Sequence, residues 1–263
     1  MGSNDAMLRI HFDSTDSTND QARRLAAVHP GEVLLVTAAE QTAGRGRRGR
    51  VWHSPRGGAW LTLVRPLTKP PAAYAGASLA AALGVHRAIL RVLPEVETRL
   101  RVKWPNDLLL DGLKVAGILC EQFPAAPGAP PVLVIGVGVN VDLDLDPVAR
   151  ELRHPATTLS MAVRRAVAVD DCVDALAMEL DAGLAAFEAT GLDEAMLTAL
   201  RSRLADVGEV RTWNSVSDSL TGQIVGLDDA GQLLLEGPNG VVACNAGELL
   251  PQVTGRSELG DAT

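Results

Sequence analysis

Arg45, Arg47, Arg48 and Arg50 fall within six positions of the stretch AGRGRRGRVWHSPRGGAW (43–60), in a chain whose formal net charge is −8. Gly44, Gly46 and Gly49 are interleaved with them. Glycine lets a backbone approach a ligand closely, and arginine offers a fork of donors matched to phosphate or carboxylate. Four like charges this close repel one another unless an anion compensates them. Two readings follow: a segment mobile when empty and ordered by an anionic ligand, or a solvated basic loop. The glycines also satisfy G-x-G-x-x-G letter for letter, but a dinucleotide fold needs a helix opening at the third glycine. RVWHSPRGGAWLTL follows instead, with a proline, two more glycines and a strand pattern, and 61–71 carries no acidic residue. No G-x-x-x-x-G-K-[ST] phosphate loop occurs in the chain.

Two other stretches carry chemical groups. RVKWPNDLLLDGLKVAGIL (101–119) sets Lys114 between Leu113 and Val115, just past a tight turn at Asp111-Gly112. A lone lysine in an apolar strand is either an edge or snorkelling residue or a charge presented to a ligand. Gly117, three residues on, leaves room for close approach by a ligand or backbone. DSTDSTND (13–20) clusters hydroxyls and carboxylates, and by itself reads as the N-cap of a helix through QARRLAAV. Cys120, Cys172 and Cys244 lie far apart without metal-ligand spacing; they read as buried small hydrophobes in a reducing compartment.

These groups need a scaffold. Residues 32–41 and 59–64 read as strands on either side of the arginine segment, and 72–93 as a buried Ala/Leu-rich helix. Residues 97–104 alternate, with Glu97, Arg99, Arg101 and Lys103 on one face and Thr98, Leu100, Val102 and Trp104 on the other. A hairpin follows, then a Pro/Ala loop at 124–131 and a buried strand, VLVIGVGVNVDL. Val173, Leu176, Leu180, Leu184 and Phe187 recur at helical spacing over 171–190, and a further helix is predicted over 193–204. From about Val207 short β-type runs alternate with turn signals at 229–231 and 238–240, the grammar of a small β-barrel. Strands and helices mix without a strict β-α rhythm, so the fold class is α+β.

At 263 residues, with 47% hydrophobic and 21% charged residues, the chain has the composition of an ordinary globular protein. No uninterrupted apolar run of membrane-spanning length and no signal-peptide pattern is visible, so a cytoplasmic protein without a membrane partner is expected. The acidic balance speaks against a general nucleic-acid binder.

The segments DSTN (16–19), EQTAGRGRRGRVWHSP (40–55), KWPND (103–107), KVAGIL (114–119) and GVGVN (136–140) together resemble biotin protein ligases, in that family's order and at similar intervals. The β-rich tail, with GLDDAGQLLLE and AGELL, is similar to the family's small SH3-like C-terminal domain. The resemblance covers nearly the whole chain from about residue 10. It implies a mixed β-sheet catalytic domain (1–205) with helices on one side, followed by the SH3-like domain (206–263). It also implies the activity: biotin and ATP give biotinyl-5′-adenylate and pyrophosphate, and biotin then passes to a lysine of a carrier protein. Carried over by position, Lys114 is the catalytic lysine, with Arg47 and Asp107 beside it in the catalytic set. Ser17, Thr18, Asn19 and Gln41 meet the biotin head, with the second DST unit (16–18) taken over the first (13–15) because Asn19 follows it. Gly44, Arg45, Gly46, Arg47, Arg48 and Gly49 form the loop over the adenylate. Trp52 supplies an apolar wall, with plain core packing as its alternative, and Gly117 gives ligand clearance. Arg48, Asn106 and Asn140 fall on the nucleotide side. No protein-only metal cage is specified, so Mg²⁺ is expected to arrive on the ATP phosphates. The implied partner is the biotin carboxyl carrier protein of acetyl-CoA or related carboxylases, and the chain is expected to be a monomer or weak homodimer. About a dozen residues precede Asp13, too few for the winged helix-turn-helix of repressor-type relatives, so DNA is not an expected partner.

Overall fold

The computed structural model describes residues 7–125, 127–152 and 155–250. Its larger sheet has seven strands: β1 (Leu8–Thr15), β2 (Leu34–Gln41), β3 (Gly58–Pro66), β4 (Leu100–Lys103), β5 (Asp107–Leu110), β6 (Leu113–Phe123) and β7 (Val132–Asn140). Their order is β1-β2-β3-β7-β6-β5-β4. Only β1 and β2 pair in parallel; the remaining neighbours are antiparallel. A sheet built this way is mixed, as the α+β reading requires.

Alternation along the strands sorts side chains to two faces. On one face Leu35, Leu61, Leu63, Leu133, Ile135, Val137 and Val139 pack beneath α2 (Ala77–Val92) and α4 (Val169–Thr190) in the main core. α2 and α4 approach closely because Gly84 has no Cβ, which would stand 3.1 Å from the Glu179 carbonyl. The stretch Pro71–Val92 is long and apolar enough to cross a bilayer, yet 67% of its 18-residue apolar window is buried inside the fold, as expected of a core helix. On the opposite face Leu34, Val36, Val64, Val132 and Val134 pack against Ala22 and Ala26 of α1 (Thr18–Val28). Helices therefore cover both faces: α2 and α4 one side, α1 one end of the other. The expectation of helices on a single side misses α1, whose apolar side is reduced to alanines. The rest of that second face is left open.

β1 was not foreseen, although Leu8, Ile10 and Phe12 alternate along it, nor was the short α3 (Leu159–Val163). The helix from 72 starts only at Ala77, after a 3₁₀ turn at Pro71–Tyr74. α5 (Glu194–Arg203) then leads to a five-stranded antiparallel sheet of β8 (Val210–Asn214), β9 (Ser219–Leu227), β10 (Leu233–Gly237), β11 (Gly240–Cys244) and β12 (Glu248–Leu249), ordered β11-β10-β9-β8-β12. This is the SH3-like unit; the predicted extent to 263 includes 251–263, which lie outside the described residues. The chain leaves α5 bound to β4 through Ala205 N to Val102 O (2.8 Å), and the second sheet's unit docks on the first through Trp104 Nε1 donating to Gly231 O (3.2 Å).

Candidate active site

Register carries one row straight across the open face. Lys103 on β4 stands opposite Asp107 on β5, Asp107 opposite Gly117 on β6, Gly117 opposite Gly138 on β7, and Gly138 opposite Trp60 on β3. Cross-strand partners project from the same face, so two charges and two bare positions line up side by side. Along β7, Gly136, Gly138 and Asn140 share this face by alternation. A Cβ on Gly138 would lie 2.5 Å from Trp52 Nε1, and one on Gly117 would lie 2.9 Å from Trp52 Cζ3. The indole of Trp52 thus rests directly on the sheet, edge-on to Trp60 at 6.4 Å between ring centroids. Above this floor lies a cavity of about 550 Å³.

Lys114 reaches the cavity through an irregularity. Three positions separate it from Gly117, so in a regular strand the two would face opposite ways. The β5–β6 register shifts between Leu108, opposite Ala116, and Leu109, opposite Lys114, leaving Val115 as an extra residue. The bulge returns Lys114 to the face of Gly117 and Asp107. Lys114 Nζ then stands 2.7 Å from Asp107 Oδ2 and 5.0 Å from the Trp52 ring centroid. Its backbone is clamped by Lys114 N to Pro155 O and Thr157 N to Lys114 O, both 3.0 Å. Asp107 Oδ1 and Trp52 Nε1 are buried without a hydrogen-bond partner among the described residues.

A neutral, hydrogen-bonding end adjoins α1. Ser17 occupies the N-cap position but its hydroxyl makes no cap bond, so the helix leaves that group unspent. Gln41 Oε1 accepts from Thr18 N (2.8 Å) and Thr18 Oγ1 (3.0 Å), while Gln41 Nε2 donates to Ser54 Oγ (2.8 Å). Asn19 accepts from Thr62 Oγ1 (2.7 Å) and donates to Glu121 Oε2 (3.1 Å). Ser17, Thr18 and Asn19 line the cavity and Asp13 to Thr15 do not, so of the two DST repeats the second is at the site.

The arginine loop closes the opposite side, and the protein's own carboxylates compensate it. Arg45 donates to Asp20 (2.6 Å); Arg48 (3.1 Å) and Arg50 both pair with Glu248 of β12. Arg47 spans the two sheets, donating to Asn106 Oδ1 (2.8 Å) and to the Gly247 carbonyl (3.0 Å). Burial pulls the Arg47 guanidinium below its usual pKa range, with Asp107 opposing the shift. The charge compensation that the sequence reading assigned to an anionic ligand is thus supplied, in this arrangement, by the protein's own acids. Arg48 and Gly49 are both left-handed (φ 57° and 70°), the sharp reversal that glycine makes possible.

Asn140 is buried and donates to Thr157 O at 3.1 Å. Beside it the segment after β7 contributes an apolar wall of Leu143, Leu145, Val148 and Leu152. In all, six cations (Arg45, Arg47, Arg48, Arg50, Lys103, Lys114) face three carboxylates (Asp107, Glu151, Glu248) around the cavity, an excess of positive charge in an acidic chain. The fold thus brings Ser17, Thr18, Asn19, Gln41, Gly46, Trp52, Asn106 and Gly117 together with Lys114 and Asp107. Gly44 and Gly49 do not line this cavity; Gly44 packs under the Trp52 carbonyl, where a Cβ would come within 2.4 Å. Sequence reasoning missed Lys103, Gly136, Gly138 and Glu248 as members of the site. A signal existed for the glycines: their period of two leaves one face of a strand bare.

Comparisons with known proteins bear on the family and the fold. The profile of the Biotin/lipoate A/B protein ligase family matches residues 10–140, and that of the Biotin protein ligase C terminal domain matches 216–249. The chain is 38% identical over 239 residues to the Biotin--[acetyl-CoA-carboxylase] ligase of Paracoccus denitrificans, covering 89% of this chain and 97% of that protein. It is 33% identical over 242 residues to the protein of the same name from Mycobacterium tuberculosis, covering 90% and 86%. The fold superposes on the Aquifex aeolicus biotin protein ligase solved with biotin and ATP, with a TM-score of 0.78, 25% identity and coverage of 92% and 97%. A row of lysine, aspartate and glycine under an arginine loop, in a chain matched along nearly its whole length, places this protein in the biotin protein ligase family.

Proposed function

We propose that the cavity joins biotin to ATP, releasing pyrophosphate, and then passes biotin from biotinyl-5′-adenylate to a carrier lysine. The observation that carries this assignment of residues is the Lys114–Asp107 pair, 2.7 Å apart on the cavity floor, between a neutral polar end and an arginine-lined end. A carboxylate attacking the α-phosphorus of a polyanion needs its charge neutralised first. Lys114 sits where one ammonium can meet both the carboxylate and the α-phosphate, bringing them together and stabilising charge in the transition state. Ser17, Thr18, Asn19 and Gln41 offer the paired donors and acceptors that a ureido head group needs. Trp52 covers the apolar body of biotin. The nucleotide lies toward Asn140, Asn106 and the wall at 143–152, with Arg45, Arg47 and Arg48 on its phosphates. Asp107 orients Lys114 through Oδ2 and offers Oδ1 to the incoming amine in the transfer step. Closure of the loop keeps water from the mixed anhydride.

Mg²⁺ enters with ATP as part of the substrate; among the described residues no group of three or more His, Cys, Asp and Glu is placed to hold a metal. The acceptor is the biotin carboxyl carrier protein of acetyl-CoA carboxylase, by similarity to the relatives' named acceptor. The chain acts in the cytoplasm as a monomer or weak homodimer and binds neither DNA nor membrane. It divides into a catalytic unit through residue 205 and an SH3-like unit from 206. The test is biotin-dependent exchange of labelled pyrophosphate into ATP, with octanoate and lipoate as competing acids. Exchange with biotin alone supports the reading; exchange only with octanoate or lipoate moves the chain to the lipoate side of the family, and no exchange overturns it.

A further inference from the structure

Lys103 enters none of the roles above, yet it belongs to the cavity. The cross-strand row sets it beside Asp107 on the floor, and it lines the wall where the large sheet meets the SH3-like unit. Its cross-strand carboxylate is committed elsewhere, since Asp107 Oδ2 holds Lys114. Among the described residues the Lys103 ammonium forms no hydrogen bond and no ion pair within 4 Å. Burial lowers its pKa; Asp107 and Asp206 oppose that shift, while Lys114 and Arg211 add to it. A half-buried ammonium left unpaired is costly to the fold, and such costs are met where a ligand supplies the counter-charge.

The sequence supplies an independent observation. Only three of the chain's 24 basic residues are lysines: Lys69, Lys103 and Lys114. Arginine serves nearly everywhere else, so two of three lysines at one cavity mark a need for a compact charge with three rotatable donors rather than a planar fork. That is the chemistry of a phosphate group which changes position and charge during reaction.

The cavity lining has three parts. The neutral end at Ser17, Thr18 and Gln41 and the apolar wall at Leu143 to Leu152 suit the biotin head and the base. The third part of the lining is Lys103, beside Asp107 in register, together with Arg48, Arg50 and Glu248. Adenylation is an in-line displacement. The biotin carboxylate oxygen bonds to the α-phosphorus, the bond from the α-phosphorus to the bridging oxygen breaks, and its electron pair leaves on pyrophosphate. With the carboxylate approaching from the Ser17 side and Lys114 at the α-phosphate, the leaving group departs toward Lys103.

We propose that Lys103 binds the β- and γ-phosphates of ATP and stabilises pyrophosphate as it leaves, an assignment that rests on the adenylation reading. Lys103→Met and Lys103→Arg, each checked for an unchanged melting temperature, test it in three assays. Biotin binding measures the intact floor. Pyrophosphate exchange gives the KM values for ATP and for pyrophosphate. Transfer from chemically prepared biotinyl-5′-adenylate to a carrier domain bypasses the phosphates. Loss of a charge-assisted contact predicts an increase of about 10- to 100-fold in the KM for pyrophosphate and a comparable loss of adenylation in Lys103→Met. Biotin affinity and transfer from the preformed adenylate stay at the wild-type level, and Lys103→Arg recovers part of the loss. Transfer and adenylation falling equally, or an unchanged KM for pyrophosphate, overturns the role of Lys103. Wild-type protein without biotin-dependent exchange would instead sink the adenylation reading itself, and the two failures are distinct.

Discussion

Replacing Gly138 by alanine adds one methyl to the cavity floor, and the structure says where the strain goes. The new Cβ would stand 2.5 Å from Trp52 Nε1, whereas carbon and nitrogen pack comfortably at about 3.5 Å. β7 cannot yield, because all nine of its residues are buried and it is paired on both sides by β3 and β6. Trp52, carried on a loop between β2 and β3, must therefore lift by about 1 Å into the space above it. Overpacking of this kind costs about 1–3 kcal/mol when the ring is forced back to its place, as ligand binding would require. That penalty predicts biotin affinity weakened by about 5- to 150-fold. The melting temperature should barely move, since the empty protein can relax through the loop. Titration calorimetry with biotin on wild type, Gly138→Ala, Trp52→Ala and the double variant gives a complete cycle. Strong non-additivity is expected, because without the indole the methyl meets nothing. Wild-type affinity in Gly138→Ala, or an equal loss in the Trp52→Ala background, would refute the claim that the bare floor exists to seat Trp52.

Other outcomes follow from the same geometry. Lys114→Ala should lower pyrophosphate exchange by about 10²- to 10³-fold, the scale of losing one preorganised charge, with biotin binding far less affected. Glu248→Gln releases Arg48 and Arg50 from their carboxylate, so limited trypsin digestion at the loop should quicken several-fold in the empty protein; cleavage at the wild-type rate would show that the ion pairs do not hold the loop. His86 is 1% exposed, neither ring nitrogen reaches a partner, and its pKa is pushed down to about 4 by burial first and then by Arg203, Arg101 and Arg87; the Leu100 backbone, short of hydrogen-bond geometry, opposes this only in part. The unfolded chain then binds the extra proton between pH 6.5 and about 4, so stability falls as pH drops through that window, by about 3 kcal/mol at most, and is flat above it. Denaturant melts from pH 5 to 7 should show that slope in wild type and its loss in His86→Leu.

Much of the scaffold is legible in the sequence. The long helices α2 and α4 are, since burying one side of a helix forces the 3.6-residue period onto the sequence. So are the hairpin at Asp111-Gly112, where two left-handed residues are needed and Asp-Gly supplies them (φ 53° and 77°), and the short strands of the second sheet. Less legible are β1, an edge strand whose alternation is masked by the polar DSTDST run, and α3, too short for any period. Gly44 and Gly49 show a limit of motif reading: a glycine that lets the backbone pack on itself looks, in sequence, the same as one that admits a ligand.

The sequence alone determined which groups were available: the arginine-glycine run, the DSTN hydroxyls, and a lysine just after a turn. It could do so because residue type and local spacing are properties of the chain itself. Only the tertiary structure decided which way they face. Lys114 reaches the cavity because of a one-residue bulge at Val115, a shift that no alternation pattern records. Lys103, Asp107, Gly117 and Gly138 become neighbours only when four strands fall into register. Arg48, Arg50 and Glu248, some 200 positions apart, compensate one another only because the second sheet docks against the first. Register and docking are set by pairing between distant segments, and that is the information a linear reading cannot hold.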